Sequence, residues 1–307
     1  MTESNSVVFD GTEEYPSAEA QRRLASLIGI DSQRERLAKG LRLMLDLDSV
    51  SAWSKKHHGE ILPIVKQFKE RPALFVLAGD VGTGKTALAE SVGDSVARDS
   101  GIHVTLYRMS LASRGTGLVG EITRLVSGAF SEVAAAAKKT KSTGKHRGAH
   151  ILLIDEADAL AQTRESTQMH HEDRAGVNAL IRGVDEFSSQ QLPAAVLMCT
   201  NRLSAIDPAV RRRAADILEF TRPGDEQRRI ILTTALKPAG FTAGQIDALV
   251  GKTGKTAQQF SYTYSDLTQR LLPALVLDAY PDKPITFERA MEIVANTKPT
   301  PQFSEAQ

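Results

Sequence analysis

Eight consecutive residues, Gly79 to Thr86, have the types and spacing of a loop that binds phosphate groups. They read Gly-Asp-Val-Gly-Thr-Gly-Lys-Thr and fit the pattern G-x-x-x-x-G-K-[ST]. The glycines allow the backbone to pass close to an anion, the amide groups and the start of the next helix face it, and Lys85 adds a positive charge. The pattern predicts a nucleoside triphosphate site formed by Gly79, Val81, Gly82, Thr83, Gly84, Lys85 and Thr86.

The segments on either side of this loop have the order that phosphate binding requires. Residues 73–78 form an apolar run typical of a buried strand, and residues 86–92 are typical of the start of a helix. The alternative is a glycine-rich turn without a ligand. Such a turn does not require a strand before it and a helix after it. In a nucleotide site, Thr86 would bind Mg²⁺ through its hydroxyl, and Lys85 would reach the β- and γ-phosphates of the nucleotide.

A second set of polar residues follows two other apolar runs. Residues 151–154 read Ile-Leu-Leu-Ile, which is typical of a strand buried on both faces of a parallel sheet, and they are followed by Asp155 and Glu156. Asp155 would hold Mg²⁺, and Glu156 would orient and polarise the attacking water. Asn201 ends the apolar run 194–200, so its amide is placed to contact the γ-phosphate or that water.

The composition of the 307 residues narrows the class of protein. Lysine plus arginine (38) nearly balance aspartate plus glutamate (37), so net charge indicates neither a nucleic-acid partner nor an acidic tail. The single cysteine, Cys199, lies in an apolar run and predicts a buried, inert thiol. No signal peptide and no apolar run of about 20 residues is present, so we expect a cytoplasmic protein without a membrane partner.

The order of the predicted elements divides the chain into four segments. Strands and helices alternate up to residue 222, which predicts an α/β domain with a parallel sheet. After it, only helical patterns occur, at residues 225–236, 243–250, 265–277 and 287–295. We therefore predict a flexible N-terminal arm, a nucleotide-binding domain, a helical domain and a disordered tail, at residues 1–16, 17–222, 223–297 and 298–307.

In this order, the segments resemble those of AAA+ ATPases over almost the whole chain. The resemblance rests on residues 27–31, 79–86, 151–156, 200–202 and 206–214. It implies a three-layer αβα parallel-sheet domain followed by a small all-helical lid domain. It also implies an enzyme that hydrolyses ATP to ADP and phosphate with Mg²⁺.

The same resemblance implies roles for further residues. Gly29 and Ile30 would border the adenine, and Asn201 would be the sensor-one residue. One arginine of the run 211–213 would enter the site of the neighbouring subunit as a finger. We predict Arg213 for this role, with Arg212 as second choice; the alternative is that these arginines pair with surface acids.

Within the AAA+ proteins, the chain resembles the pachytene-checkpoint ATPases, which remodel HORMA-domain proteins, and their small bacterial relatives in antiphage cyclic-nucleotide signalling operons. Short matches carry this resemblance, at residues 110–114 and 120, 177–179 and 184–185, and 213–216. It implies a homo-hexamer that partly unfolds or disassembles a complex of a HORMA-domain client, with its nucleotidyltransferase complex as a further partner.

Two positions depart from the pattern of these relatives. Their first pore loop carries a bulky aromatic residue where this chain has Gly115 and Thr116. In this chain, Leu118 and Val119 would therefore have to grip the client protein in the channel. Ser265 occupies the position of the second-sensor arginine, which leaves Arg270, one turn on, as the candidate substitute.

Two other functions compete with protein remodelling. An AAA+ DNA-associated accessory ATPase, for transposition or replication, would contact DNA through the basic residues 138–147, which we otherwise predict to form a solvated loop. A nucleotide-dependent switch without turnover is disfavoured because Glu156 and the arginine run are both present. A nucleic-acid partner is not expected under the leading hypothesis.

Overall fold

The computed structural model describes residues 8–69, 71–111, 120–143, 148–160, 170–257 and 259–302. The chain forms two compact units. The first consists of Met1–Ser26, Ser32–Ala78 and Thr86–Glu219, and the second of Leu27–Asp31, Gly79–Lys85 and Phe220–Gln307. None of the described helices combines the length and the apolar composition needed to cross a membrane.

A six-stranded sheet organises the α/β part of the chain. Its strands are β1 (Gly11–Tyr15), β2 (Leu74–Gly79), β3 (His103–Ser110), β4 (Gly148–Asp155), β5 (Ala194–Thr200) and β6 (Ala214–Phe220). They lie in the order β1-β3-β4-β5-β2-β6, and the β3–β4, β4–β5 and β5–β2 pairs are parallel. All seven residues of β5 are buried, as expected for a strand covered on both faces.

Helices cover both faces of this sheet. They are α1 (Ala18–Ser26), α2 (Asp31–Leu45), α3 (Leu47–His58), α4 (Pro63–Lys69), α5 (Lys85–Ala89), α6 (Val92–Ser100), α7 (Glu121–Thr143), α8 (His170–Ser189) and α9 (Pro208–Arg211). Val76 of β2 belongs to the apolar cluster that contains Val126 of α7 and Leu180 of α8. Its neighbour Phe75 lies against Gly40 of α2. Because successive residues of a strand point to opposite faces of the sheet, α7 and α8 cover one face and α2 covers the other. The predicted three layers, helices, sheet and helices, are therefore present.

The second unit is helical and has its own core. Its helices are α10 (Asp225–Leu236), α11 (Ala243–Lys252), α12 (Leu272–Ala279) and α13 (Phe287–Asn296), with a π-helical segment, Asp266–Leu271, before α12. Apolar residues from all four helices, including Leu232, Leu249, Leu275 and Ala290, form one buried cluster. The α/β class and the helical segments predicted after residue 222 are confirmed.

The carboxyl ends of the parallel strands meet at one edge of the sheet, which is where ligands bind in open α/β sheets. The register pairs Ser110 of β3 with Asp155 of β4, and Ala78 of β2 with Thr200 of β5. The phosphate loop, the acidic pair and Asn201 all follow these strand ends in the chain.

The prediction of a flexible arm over residues 1–16 is wrong for residues 11–15. These form β1, which pairs antiparallel with β3 at the edge of the sheet. Tyr15 is buried and its hydroxyl donates to the carbonyl of Glu90, while Glu13 pairs with Arg23. The strand was missed because an exposed edge strand carries charged residues rather than an apolar alternation.

Two further expectations about loops are corrected. Residues 298–302 belong to the tail predicted to be disordered, but Thr300 among them is hydrogen-bonded to Asp266. Residues 138–143 of the basic segment are the last turns of α7 rather than a loop. In them Lys138 pairs with Glu186 at 3.0 Å, and Lys141 donates to two backbone carbonyls.

Candidate nucleotide-binding site

The predicted phosphate loop belongs to the second unit, and its shape depends on glycine. Gly79 has a φ of 156°, and a Cβ there would lie 2.1 Å from the carbonyl oxygen of Phe220, so a side chain does not fit. Lys85 is buried, and its ammonium group donates to the carbonyls of Gly79 and Asp80, both at 2.8 Å. The lysine is therefore held inside the loop that it would use to bind phosphate.

The residues predicted near the adenine and at the second sensor lie against this loop within the same unit. A Cβ at Gly84 would be 3.8 Å from the end of the Ile30 side chain, and Gly29 lies beside the hydroxyl of Tyr264. The amide of Ser265 donates to the carbonyl of Gly82 at 3.2 Å. The start of the helical region after residue 260 thus contacts the phosphate loop directly.

Arg270, the candidate substitute for the second-sensor arginine, is engaged elsewhere. Its guanidinium donates to the buried carboxylate of Asp266 at 2.8 Å. A role in nucleotide sensing would require Arg270 to leave this pair.

Thr86 and Asp155 lie together in the first unit. The Thr86 hydroxyl donates to Asp155 Oδ2 at 3.0 Å, and the amide of Glu156 donates to Oδ1 at 2.8 Å. Burial raises the pKa of Asp155, and these two hydrogen bonds only partly offset it. A hydroxyl beside a desolvated carboxylate is a suitable set of oxygen donors for a hard divalent cation such as Mg²⁺.

Glu156 combines an unusual backbone with a defined side-chain partner. Its φ of 54° lies in the left-handed region, which costs a non-glycine residue on the order of 1–3 kcal/mol and is concentrated at functional sites. Ser110 Oγ donates to Glu156 Oε2 at 2.6 Å. Ser110 thus positions the predicted catalytic base, a role that its sequence context did not suggest.

Asp158 is a second residue that the sequence did not reveal. It is buried in the 3-10 turn Ala157–Leu160, and its Oδ1 accepts from the Thr200 hydroxyl and from the amide of Asn201, both at 3.2 Å. The carboxylate therefore ties the end of β5 to the segment after β4. This contact fixes the backbone of Asn201, whose side chain is the predicted sensor.

The two candidate finger arginines differ in their surroundings. Arg213 forms a bidentate pair with Asp185, from Nε to Oδ1 at 2.9 Å and from Nη2 to Oδ2 at 3.0 Å. Arg212 is exposed, and its side chain has no partner within the described part of the chain. Leu118 and Val119, predicted to line the pore, lie outside the described residues.

The sequence of this chain matches a known protein family. Residues 75–222 match the model of the "ATPase family associated with various cellular activities (AAA)". CD-NTase-associated protein 6 of Escherichia coli strain MS 115-1 is 52% identical over 98% of this chain and 97% of its own length. This chain belongs to the AAA family of ATPases. The protein of the same name from strain KTE188 is 40% identical over 98% of this AAA ATPase and 99% of its own length.

Solved structures agree with this assignment. A chain of the E. coli MS115-1 HORMA:CdnC:Trip13 complex matches with a TM-score of 0.86 and 50% identity, over 96% of this AAA ATPase and 97% of that chain. Rhizobiales Trip13 matches with a TM-score of 0.73 and 46% identity, over 95% of this AAA ATPase and 99% of the Trip13 chain. C. elegans PCH-2, at 16% identity and a TM-score of 0.65, shares the fold. The predicted resemblance to bacterial pachytene-checkpoint ATPases is confirmed.

Replacing Asp155 with asparagine should separate metal binding from folding. An Asp whose pKa is raised in the folded state stabilises the fold only at low pH, and this contribution is lost as pH rises. The asparagine side chain would remove that charge, and its Oδ1 would accept from the amide of Glu156 while its NH₂ group donates to the hydroxyl oxygen of Thr86. Asp155→Asn should therefore raise the nucleotide-free melting temperature at pH 7. Saturating ATP and Mg²⁺, worth about 2.7 kcal/mol at 100 times Kd, should stabilise the variant much less than wild type.

Calorimetry with and without ATP and Mg²⁺ measures both effects. Asp247→Asn, which changes an exposed aspartate of α11 in the same way, is the matched control and should behave as wild type. Destabilisation of the nucleotide-free Asp155→Asn protein, or an undiminished effect of Mg²⁺, would contradict the assignment.

Proposed function

We propose that this AAA ATPase is a homo-hexameric remodeller that uses ATP to take apart complexes of a HORMA-domain protein, and that it thereby regulates a bacterial cyclic-nucleotide antiphage system. The main support is the 50% identity, over 96% of the chain, to a chain of a HORMA:CdnC:Trip13 complex. Relatives that match 98% of the chain are named CD-NTase-associated proteins, which is consistent with a nucleotidyltransferase in the same system.

In the proposed mechanism, the phosphate loop binds the triphosphate of ATP. Lys85 exchanges the carbonyls of Gly79 and Asp80 for phosphate oxygens, because an anion is the stronger partner for its charge. Thr86 and Asp155 would hold Mg²⁺, which neutralises part of the phosphate charge.

The acidic strand end supplies the base in this mechanism. Glu156 takes a proton from the attacking water, and the Ser110 hydrogen bond holds its carboxylate in position. Asn201, whose backbone is fixed by Asp158, would orient the water or the γ-phosphate. The charge that develops on the transferred phosphoryl group requires a further cation, which we assign to an arginine of a neighbouring subunit.

Disassembly of a purified complex tests the proposal. A HORMA-domain protein and a nucleotidyltransferase from the source bacterium are assembled into a complex, incubated with this protein, ATP and Mg²⁺, and separated by size-exclusion chromatography. We expect the wild-type protein to release the HORMA-domain protein, and Lys85→Ala to leave the complex intact. An intact complex after incubation with an ATPase that is active in the same tube would contradict the proposal. Salt-sensitive stimulation of the ATPase by DNA would instead favour a DNA-associated accessory role.

A further inference from the structure

Arg222 connects three distant segments of the second unit. Its Nε donates to Asp80 of the phosphate loop at 2.7 Å, and its Nη1 donates to the carbonyls of Ser261 at 2.6 Å and Thr300 at 2.8 Å. The side chains of Arg222 and Asp80 are both nearly buried, at 8% and 12% exposure. This pair is therefore shielded from the solvent that weakens most surface ion pairs.

Asp80 places a negative charge inside a loop that has to accept a triphosphate. Its Oδ1 accepts from the amide of Val81 at 2.9 Å, so the carboxylate also shapes the loop. Without a counter-charge, Asp80 would repel the phosphates, since like charges in a poorly solvated site interact strongly. Arg222 supplies this counter-charge.

The C-terminal segment is joined to the same loop by a second route. The amide and hydroxyl of Thr300 donate to the fully buried Asp266, at 3.0 and 2.7 Å. Asp266 also accepts from the amide of Thr263 at 3.0 Å, and the Thr263 hydroxyl lies against Gly82, where a Cβ would be 2.8 Å from it. Although burial alone would raise the pKa of Asp266, the hydrogen bonds from Thr263, Thr300 and Arg270 lower it. The carboxylate therefore stays charged and holds Thr300 at neutral pH.

We propose that residues 298–302 are part of the framework of the nucleotide site, and that Arg222 is a positioning residue through which they hold the phosphate loop in the shape that accepts a triphosphate. This inference rests on the role proposed above for the phosphate loop. Release of the segment leaves Arg222 and Asp266 with fewer partners, and it loosens the loop that Arg222 holds through Asp80. The nucleotide affinity of the protein thus depends on its C-terminal end.

Two chains that end at different residues test the segment. A chain ending at Gln302 keeps every contact of Thr300, whereas a chain ending at Thr297 removes them. Affinity is measured by fluorescence titration with an N-methylanthraniloyl derivative of ATP in the presence of Mg²⁺, and folding by thermal unfolding without nucleotide. We expect wild-type affinity for the longer chain. We expect the shorter chain to lose about tenfold in affinity, which corresponds to about 1.4 kcal/mol of binding free energy. Equal affinities for the two chains would overturn the proposal.

Charge compensation tests Arg222. Arg222→Ala should weaken binding by about 30-fold, the lower end of the loss when one partner of a buried ion pair is removed. The double variant Arg222→Ala/Asp80→Asn has no unpaired carboxylate and should recover most of this affinity. It should also return the KM for ATP toward the wild-type value, with kcat little changed throughout. If Arg222 merely supported the fold, Asp80→Asn would give no recovery, and that result would refute the positioning role. A wild-type chain that bound no nucleotide would instead refute the nucleotide site itself.

Discussion

Glu156→Gln should lower the rate of ATP hydrolysis by about 10²–10⁴-fold, the usual contribution of a general base, while ATP still binds with an affinity within a few fold of wild type. Glutamine has the shape of glutamate, so it can keep a partner in Ser110 and the left-handed backbone at this position. It cannot accept a proton from water, because its amide is not basic. The change therefore removes the chemical step and leaves the contacts of Lys85, Thr86 and Asp155 in place.

The expected pattern is a fall in kcat without a matching rise in the Kd for ATP. Single-turnover hydrolysis measures the first quantity, and titration with a fluorescent ATP derivative measures the second. Glu35→Gln, on the exposed surface of α2, is the matched control and should leave both unchanged. Lys85→Ala should have a different effect from Glu156→Gln, because it weakens the binding of ATP and so raises the Kd. Wild-type turnover by Glu156→Gln would remove Glu156 from the mechanism.

The parts of the site that could be predicted from sequence are those that local patterns encode. The glycine spacing from 79 to 84 specifies a loop around an anion, and the apolar run before Asp155 specifies a buried strand that ends at the sheet edge. The helix Asp225–Leu236 was predicted with both of its ends, because an acidic first turn follows Pro223 and Gly224. Each of these signals lies within a dozen residues.

The parts that were missed depend on pairing between distant segments. Ser110 contacts Glu156 only because β3 and β4 are neighbours in a register that pairs Ser110 with Asp155. Arg222 reaches Asp80 across 142 residues of sequence and Thr300 across 78. A single sequence does not state strand order or tertiary neighbours, so no local pattern identified these contacts.

Mixing Arg213→Ala with Lys85→Ala protein should restore ATPase activity that neither variant has alone. Arg213→Ala alone should lose about 10³–10⁵-fold in rate, the usual contribution of an arginine supplied by a neighbour. In a mixed ring, an Arg213→Ala subunit keeps an intact phosphate loop, and a Lys85→Ala neighbour supplies the missing arginine. With random incorporation into a ring of head-to-tail interfaces, about one quarter of the sites are complete, and this sets the expected recovery.

The ion pair between Arg213 and Asp185 does not prevent this role. Asp185 is half exposed, and a pair of this kind contributes about 0.2–1 kcal/mol. An arginine finger contributes several times more, since each factor of ten in rate corresponds to about 1.4 kcal/mol. Arg213 can therefore leave Asp185 when a nucleotide-loaded neighbour is present. Asp185→Asn, which frees the arginine in advance, should retain turnover.

Titrating the ratio of the two variants at constant total protein, with phosphate release as readout, measures the effect. Activity should be highest near equal amounts and fall toward both pure variants. The same series with Arg212→Ala is the matched comparison, because Arg212 is adjacent and exposed. Recovery only in the Arg212→Ala series would move the finger to Arg212. Differently tagged subunits show whether mixed assemblies form. If they form and neither series recovers activity, each site is complete within its own chain. The coupling of hydrolysis to assembly would then have to be abandoned.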